Sequence, residues 1–225
     1  MNITISQGNH PFEIAADATV IIDVLRAGTT AHYLFKHSIK SLTLVPDQDT
    51  AFSLKDKNTL LIGEAGGIKI EGFDFGNSPY RIQEEDSALD HKKIVFLTSN
   101  GTKALLNNFH SKTVLFCGLV NVKASVAYLK QQKLQTIHLI ASHPSSEDDL
   151  ACADYMKALL QETPYDLKTV INRIQLSESA FKFHHQTDLF PAEDLEIACM
   201  EERRIGYVLK AQKKGDAIYL NKVLV

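Results

Sequence analysis

Ile94-Val95-Phe96-Leu97-Thr98-Ser99-Asn100-Gly101-Thr102-Lys103-Ala104-Leu105-Leu106 reads as a buried strand, a polar turn and the opening of a helix. The apolar run is short for a helix and rich in strand formers, and Asn-Gly is a turn dipeptide. The same pattern recurs on both sides. Upstream, Val20-Ile21-Ile22 precedes Asp23 and a helix expected from Thr30 to Lys36. Leu42-Thr43-Leu44-Val45 precedes Pro46-Asp47, a stop and then a cap for the segment through Leu54. Leu60-Leu61-Ile62 runs into a long glycine-rich loop. Downstream, Val114-Leu115-Phe116 precedes Asn121, a cap for Val122 to Gln132. Ile137-His138-Leu139-Ile140-Ala141 precedes a polar loop and a helix from about Asp148 to Gln161. This rhythm predicts an α/β fold with a largely parallel or mixed sheet covered by helices.

Beyond Pro164 the rhythm weakens to helices and loops broken at Phe190-Pro191, then two strands around Gly215-Asp216. No stretch rich in Pro, Gly or Ser divides the chain, so one domain over residues 1–225 is expected. Gly28-Thr29-Thr30-Ala31 and Gly101-Thr102-Lys103-Ala104 both open a helix after a strand, a faint echo of duplication. With 24 Lys and Arg against 27 Asp and Glu, and no basic block, the chain lacks the footprint of unspecific nucleic-acid binding. No apolar run approaches the roughly 18 residues of a membrane span. Met1 to Phe12 has no basic stretch leading into an apolar one, so a cytoplasmic protein is expected. Cys117, Cys152 and Cys199 lie far apart in apolar surroundings and read as buried thiols, with Cys117 a possible nucleophile at a strand end.

The polar residues collect just after the strands, where open α/β sheets bind ligands. Asp23-Val24-Leu25-Arg26-Ala27-Gly28-Thr29-Thr30 offers an acid for a metal, a guanidinium fork for phosphate and a helix start; its plain alternative is an acid paired with its own arginine. Gly63 to Pro79 carries Gly66, Gly67, Lys69, Asn77, Ser78 and the acids Glu64 and Asp74. A loop of this length is uncommon unless functional, and Ile68, Ile70, Phe73 and Phe75 would anchor it. Thr98 to Thr102 forms either an anion nest or a simple capped turn. Gly118 to Asn121 is weaker still. Ser142 to Asp149 places Glu147, Asp148 and Asp149 at a helix start, which the helix dipole alone would explain.

Taken in order, Ile21 to Ala31, Gly63 to Pro79, Thr98 to Leu105, Cys117 to Val126 and Ser145 to Ala153 resemble the 2-phosphosulfolactate phosphatase family, with a weaker likeness at Leu189 to Asp194. Gly28 departs from it, since a hydroxyl residue is expected after Arg-Ala. The resemblance implies an α/β fold of its own, a homodimer and a Mg²⁺-dependent phosphatase. The implied reaction takes (2R)-2-phospho-3-sulfolactate to 3-sulfolactate and phosphate, which in methanogens belongs to coenzyme M synthesis. Carried over, Asp23 and Glu64 lead as metal ligands and catalytic groups, with Asp74, Glu147 and Asp148 behind them. Arg26, Asn77, Ser78, Asn100, Gly101 and Thr102 would hold the phosphate. Thr29, Thr30, Gly66, Gly67 and Asn121 would complete the substrate site, and Lys69, Arg81 or Lys103 would meet the sulfonate. Two other readings are a phosphatase of another 2-phosphohydroxy acid and a non-catalytic binder of small phosphorylated or sulfonated acids. The binder would not need the acids, and acids in an anion site repel the ligand unless a cation lies between.

Overall fold

A computed structural model describes residues 1–85, 87–202 and 204–225. Its strands are β1 (Asn2–Gln7), β2 (Ala18–Ile22), β3 (Ser41–Leu44), β4 (Thr59–Ala65), β5 (Ile68–Lys69), β6 (Lys93–Leu97), β7 (Thr113–Cys117), β8 (Thr136–Ala141), β9 (Tyr207–Lys214) and β10 (Ala217–Leu224). The helices are α1 (Ala27–Leu34), α2 (Gln48–Ser53), α3 (Pro79–Gln83), α4 (Gly101–Asn107), α5 (Val122–Gln131), α6 (Glu147–Gln161), α7 (Leu167–Gln175), α8 (Phe181–His185) and α9 (Ala192–Ala198).

All ten strands join in one mixed sheet, ordered β1-β8-β2-β7-β9-β10-β3-β6-β4-β5. It contains two parallel groups: β1, β8, β2 and β7 on one side, and β3, β6 and β4 on the other. Between them lies the antiparallel hairpin β9–β10, pairing with β7 on one side and β3 on the other. The α/β expectation holds. The closing strands sit in the middle of the sheet, and β1, which the sequence pattern did not single out, forms an edge.

Residues of one strand serve two cores, because successive side chains point to opposite faces. Val20 and Ile22 pack outward with Leu115, Cys117 and Leu139, toward α5 and α6. Ile21 packs inward with Phe116 and Ile140, and the same cluster holds Leu42, Leu44, Ile62 and Phe96 from the other group. Ala31 and Leu34 of α1 and Leu105 of α4 fill that inner layer. Truncating Phe116 to alanine here costs about 3–5 kcal/mol.

This packing brings the carboxyl ends of both strand groups together. Gly101, opening α4 after β6, lies so close to Asp23 after β2 that a Cβ at 101 would stand 2.5 Å from Asp23 Oδ2. The glycine permits the approach. Asp47 caps α2 as expected, accepting from Thr50 N at 2.7 Å. Helix α1 begins at Ala27, three residues before the expected start.

Candidate active site

Asp23, Leu25, Arg26, Glu64, Gly66, Gly67, Asn77, Ser99, Asn100, His143, Ser179 and Lys182 are among the residues that line a cavity of about 260 Å³. Asp23 is buried, and its Oδ1 accepts the Ala27 N–H at 2.7 Å. Burial, reinforced by the charges of Asp148 and Glu64, pushes its carboxyl up to about 7. Burial also raises Asp148, whose Oδ1 pairs with the Ser146 hydroxyl while Oδ2 has no hydrogen-bond partner among the described residues. Asp149 differs. Its Oδ1 accepts from Val24 N at 2.7 Å, and its Oδ2 accepts from Ser142 Oγ at 3.0 Å and His143 N at 2.9 Å.

The arginine is clasped. Arg26 donates to Asp194 Oδ2 and to the Gly67 carbonyl, each at 2.8 Å. Its guanidinium lies 5.3 Å from the rings of both Phe183 and Phe190. Asp194 Oδ1 takes the Ser78 hydroxyl at 2.7 Å and the Tyr80 N–H at 3.0 Å. Glu64 organises the glycine loop: Oε1 accepts from Ser99 N, and Oε2 accepts from Gly67 N and the Ser99 hydroxyl. Those three bonds measure 2.6, 2.6 and 2.9 Å. His143 Nδ1 accepts from Ser145 N at 3.2 Å and Ser146 N at 2.9 Å, which assigns the proton of the neutral ring to Nε2.

Acidic groups thus crowd a cavity whose arginine is already paired with Asp194. A phosphate dianion entering it meets these acids and one lining cation without an ion pair among the described residues, Lys182. The sequence matches the 2-phosphosulpholactate phosphatase family over residues 4–218. The chain belongs to that family. A probable 2-phosphosulfolactate phosphatase of Bacillus subtilis (strain 168) is 35% identical over 231 residues, covering 100% of both chains. Proteins of the same name in Carboxydothermus hydrogenoformans and Synechocystis sp. are 34% and 31% identical and cover 79% and 76% of this chain, 71% and 73% of their own. The family's members are phosphoric monoester hydrolases, and this chain is an enzyme of that class.

Against that family assignment, the residues singled out from sequence divide by location. Asp23, Arg26, Glu64, Gly66, Gly67, Asn77 and Asn100 line the cavity, and the Asn77 Oδ1 is buried without a partner among the described residues. Ser78 sits behind it as the cap of α3. Lys69, Asp74 and Arg81 line a neighbouring cleft of about 610 Å³ that shares Arg26, Gly67 and Asn77 with the cavity. There Lys69 donates to the Phe73 carbonyl, and Asp74 is engaged by Lys55 and by Leu61 N.

Several expectations therefore change. Asp74 does not join Asp23 and Glu64 in a metal cluster, and no group of three such ligands converges among the described residues. Glu147 is exposed at the start of α6 and paired with Arg173. Thr29 donates to the Val24 carbonyl at 2.8 Å, Thr30 is buried within α1, and Asn121 accepts from Gly118 N at 2.9 Å as a loop brace. Thr102 bonds Thr98 and, with Lys103, lines a separate groove. A side chain at Gly28 would meet the Cys117 carbonyl at 2.3 Å, so the expected hydroxyl has no room. Burial pushes the Cys117 thiol up to about 12, which removes it as a nucleophile at neutral pH.

The residues that do fit a divalent ion are Asp23 and Asp148. One lines the cavity, the other leaves a buried oxygen unsatisfied, and Mg²⁺ commonly takes one or two carboxylates with water and substrate oxygen. Sequence reasoning missed Lys182, His143, Ser99 and the clasp role of Asp194. Ser99 and His143 lay in loops the sequence singled out without being named themselves, Asp194 lay in the weak likeness at Leu189 to Asp194, and Lys182 carried no signal.

Proposed function

We propose that the protein hydrolyses (2R)-2-phospho-3-sulfolactate to 3-sulfolactate and phosphate, with Mg²⁺ held by Asp23 and Asp148. The observation that carries this reading is buried Asp23 lining a small polar cavity, with the charge of Asp148 near enough to raise its carboxyl, in a chain of this family. The ion would neutralise phosphoryl oxygens and lower the pKa of a bound water. The chain's own groups do the rest. Gly67 N–H and Ser99 hold Glu64 and so fix the loop that closes the cavity. His143, its Nδ1 taken by two backbone N–H groups, offers its Nε2–H as a donor, and the buried Asn77 amide presents an acceptor with no partner among the described residues. Lys69 and Arg81 in the adjoining cleft are placed to meet a second anionic group of the substrate.

Phosphate release from 2-phospho-3-sulfolactate, 2-phospholactate and phosphoglycolate, measured with Mg²⁺ and with excess EDTA, tests both parts. Chelation is expected to abolish turnover and Mg²⁺ to restore it. Loss of the sulfonate is expected to lower kcat/KM about 5- to 150-fold, the effect of leaving a buried polar partner unpaired. Undiminished turnover in EDTA would remove the metal from the mechanism. Equal kcat/KM for the sulfonated and unsulfonated acids would remove the sulfonate from recognition.

A further inference from the structure

Lys182 stands apart from the other charged groups of the cavity. It comes from α8, in the part of the chain whose sequence pattern is least regular, and it lines the same cavity as Asp23 and Glu64. Its Nζ lies 5.5 Å from the Phe183 ring centroid and 5.0 Å from that of Phe190. Among the described residues it makes no ion pair, and its ammonium makes no hydrogen bond. The carboxylates nearby do not supply one. Both oxygens of Glu64 are engaged by Ser99 and Gly67, and Asp194 is engaged by Arg26.

The fold places this ammonium deliberately close to the loop. A Cβ on Gly67 would come within 3.0 Å of both Lys182 Nζ and the Phe190 ring, so the glycine makes room for the cation. Phe183 and Phe190 are almost fully buried and anchor the segment. The turn before α8 is tied to the start of α6 by Ser179 N donating to Ser146 Oγ at 3.1 Å. Burial, with the neighbouring Arg26 charge, disfavours the ammonium, and acids across the cavity favour it. A half-buried lysine so placed has acids nearby but no direct hydrogen-bond or ion-pair partner among the described residues, and an anion in the cavity would provide one.

We propose that Lys182 is a catalytic residue of this phosphatase, its ammonium gripping a tetrahedral oxyanion of the bound substrate, phosphoryl or sulfonate. Arg26, whose charge is paired with Asp194 and which gives a second N–H to the Gly67 carbonyl, then shapes the site. Lys182 supplies the charge that reaches the ligand. The inference rests on the proposed function, so its test reads binding as well as turnover.

Wild type, Lys182→Met and Lys182→Arg would be compared in Mg²⁺ for kcat, KM and melting temperature. Their calorimetric affinities for inorganic phosphate and for methanesulfonate would be measured alongside. Lys182→Met is expected to lose roughly 10- to 100-fold in affinity for one of the two anions and in kcat/KM, the effect of a charge-assisted hydrogen bond. Lys182→Arg should recover most of it. Weakened phosphate binding assigns the phosphoryl group, and weakened methanesulfonate binding assigns the sulfonate. Unchanged affinity for both anions overturns the proposal, as does an equal loss in the arginine and methionine variants. A wild-type protein that binds the anions yet releases no phosphate would sink the phosphatase reading and leave the anion site standing.

Discussion

Asp148 and Asp149 are neighbours in the chain, both buried at the start of α6, and they meet opposite fates. Asp149 is saturated by two backbone N–H groups and a hydroxyl, and it ties the β2 loop to the end of β8. Asp148 keeps an oxygen without a hydrogen-bond partner among the described residues, and its charge acts on Asp23 in the cavity. The Asp194 clasp belongs with Asp149: each of its oxygens is taken, by Arg26, Ser78 and Tyr80. A buried carboxylate with filled hydrogen bonds holds the fold together. One left unfilled beside a cavity is available to a ligand. The two regions, clasp and cavity, should therefore fail differently when an acid is removed.

The sharpest break is Asp23→Asn. The amide keeps the shape and can still accept from Ala27 N, but it removes the charge. Turnover should fall by about 10³-fold or more, on the order of 4 kcal/mol of transition-state stabilisation. The melting temperature of the metal-free protein should hold or rise, since an amide costs less to bury than a carboxylate. Phosphate release and thermal melts on the same preparation check both. A variant that melts early yet turns over normally per folded molecule would move Asp23 into the clasp.

Asp194→Asn should show the reverse. It leaves the buried Arg26 guanidinium without its counter-charge, and breaking a buried pair from one side costs about 3–5 kcal/mol. The urea midpoint should drop accordingly, with a smaller loss of kcat per folded molecule than in Asp23→Asn. Unchanged stability with abolished turnover would place Asp194 in the chemistry.

How much of this contrast could be read from the chain differs by level. Ile94 to Leu106 announced strand, turn and helix because each signal is local, and the strand ends correctly located Asp23 and Glu64. The insertion of β9–β10 between β7 and β3 was not legible, because it depends on pairing between distant segments. Asp148 and Asp149 look alike in sequence, and only packing separates them. Glu64 reads as a metal ligand until the Ser99 and Gly67 donors are seen on both its oxygens. Lys182 gave no signal, since its position follows from Phe183, Phe190 and Gly67 meeting in space.

An unpaired buried atom far from the cavity sharpens the rule further. His32 Nε2 has no hydrogen bond among the described residues, and Glu202 Oε2 stands 3.6 Å away. Nδ1 pairs with the Tyr207 hydroxyl at 3.1 Å. Burial pushes the imidazole down from 6.5 to about 4, with Lys36 and Lys222 reinforcing the shift and Glu202 opposing it. Between those values the unfolded chain binds the proton and the folded chain does not, so stability rises with pH across that window and is flat above it. The effect should be on the order of 2 kcal/mol. The difference between the stability-versus-pH curves of wild type and His32→Gln isolates it, because the carboxylates titrate in both. Parallel curves from pH 4 to 6.5 would show that His32 takes up its proton in the folded state. Activity at pH 7.5 should be unchanged, since His32 lines neither the cavity nor the cleft and groove beside it.

The smallest effect is expected at Glu147, which shares the start of α6 with Asp148 but faces solvent. Its Oε2 receives Arg173 Nε at 3.0 Å and Nη2 at 2.7 Å, a bidentate pair on a half-exposed carboxylate. Arg173 keeps Asp154 and the Tyr165 hydroxyl, at 2.7 and 2.8 Å, when Glu147 is gone. No charge is stranded in a buried place, and the helix loses one of three acids near its N-terminus. Exposed pairs contribute about 0–1 kcal/mol, so Glu147→Ala should lower stability by no more than that, and less at high salt. Its kcat/KM should match wild type within the error of the assay. A tenfold loss of turnover at unchanged stability would mean that an acid outside the cavity serves the chemistry, and the division between filled and unfilled carboxylates would no longer sort the acids of this site.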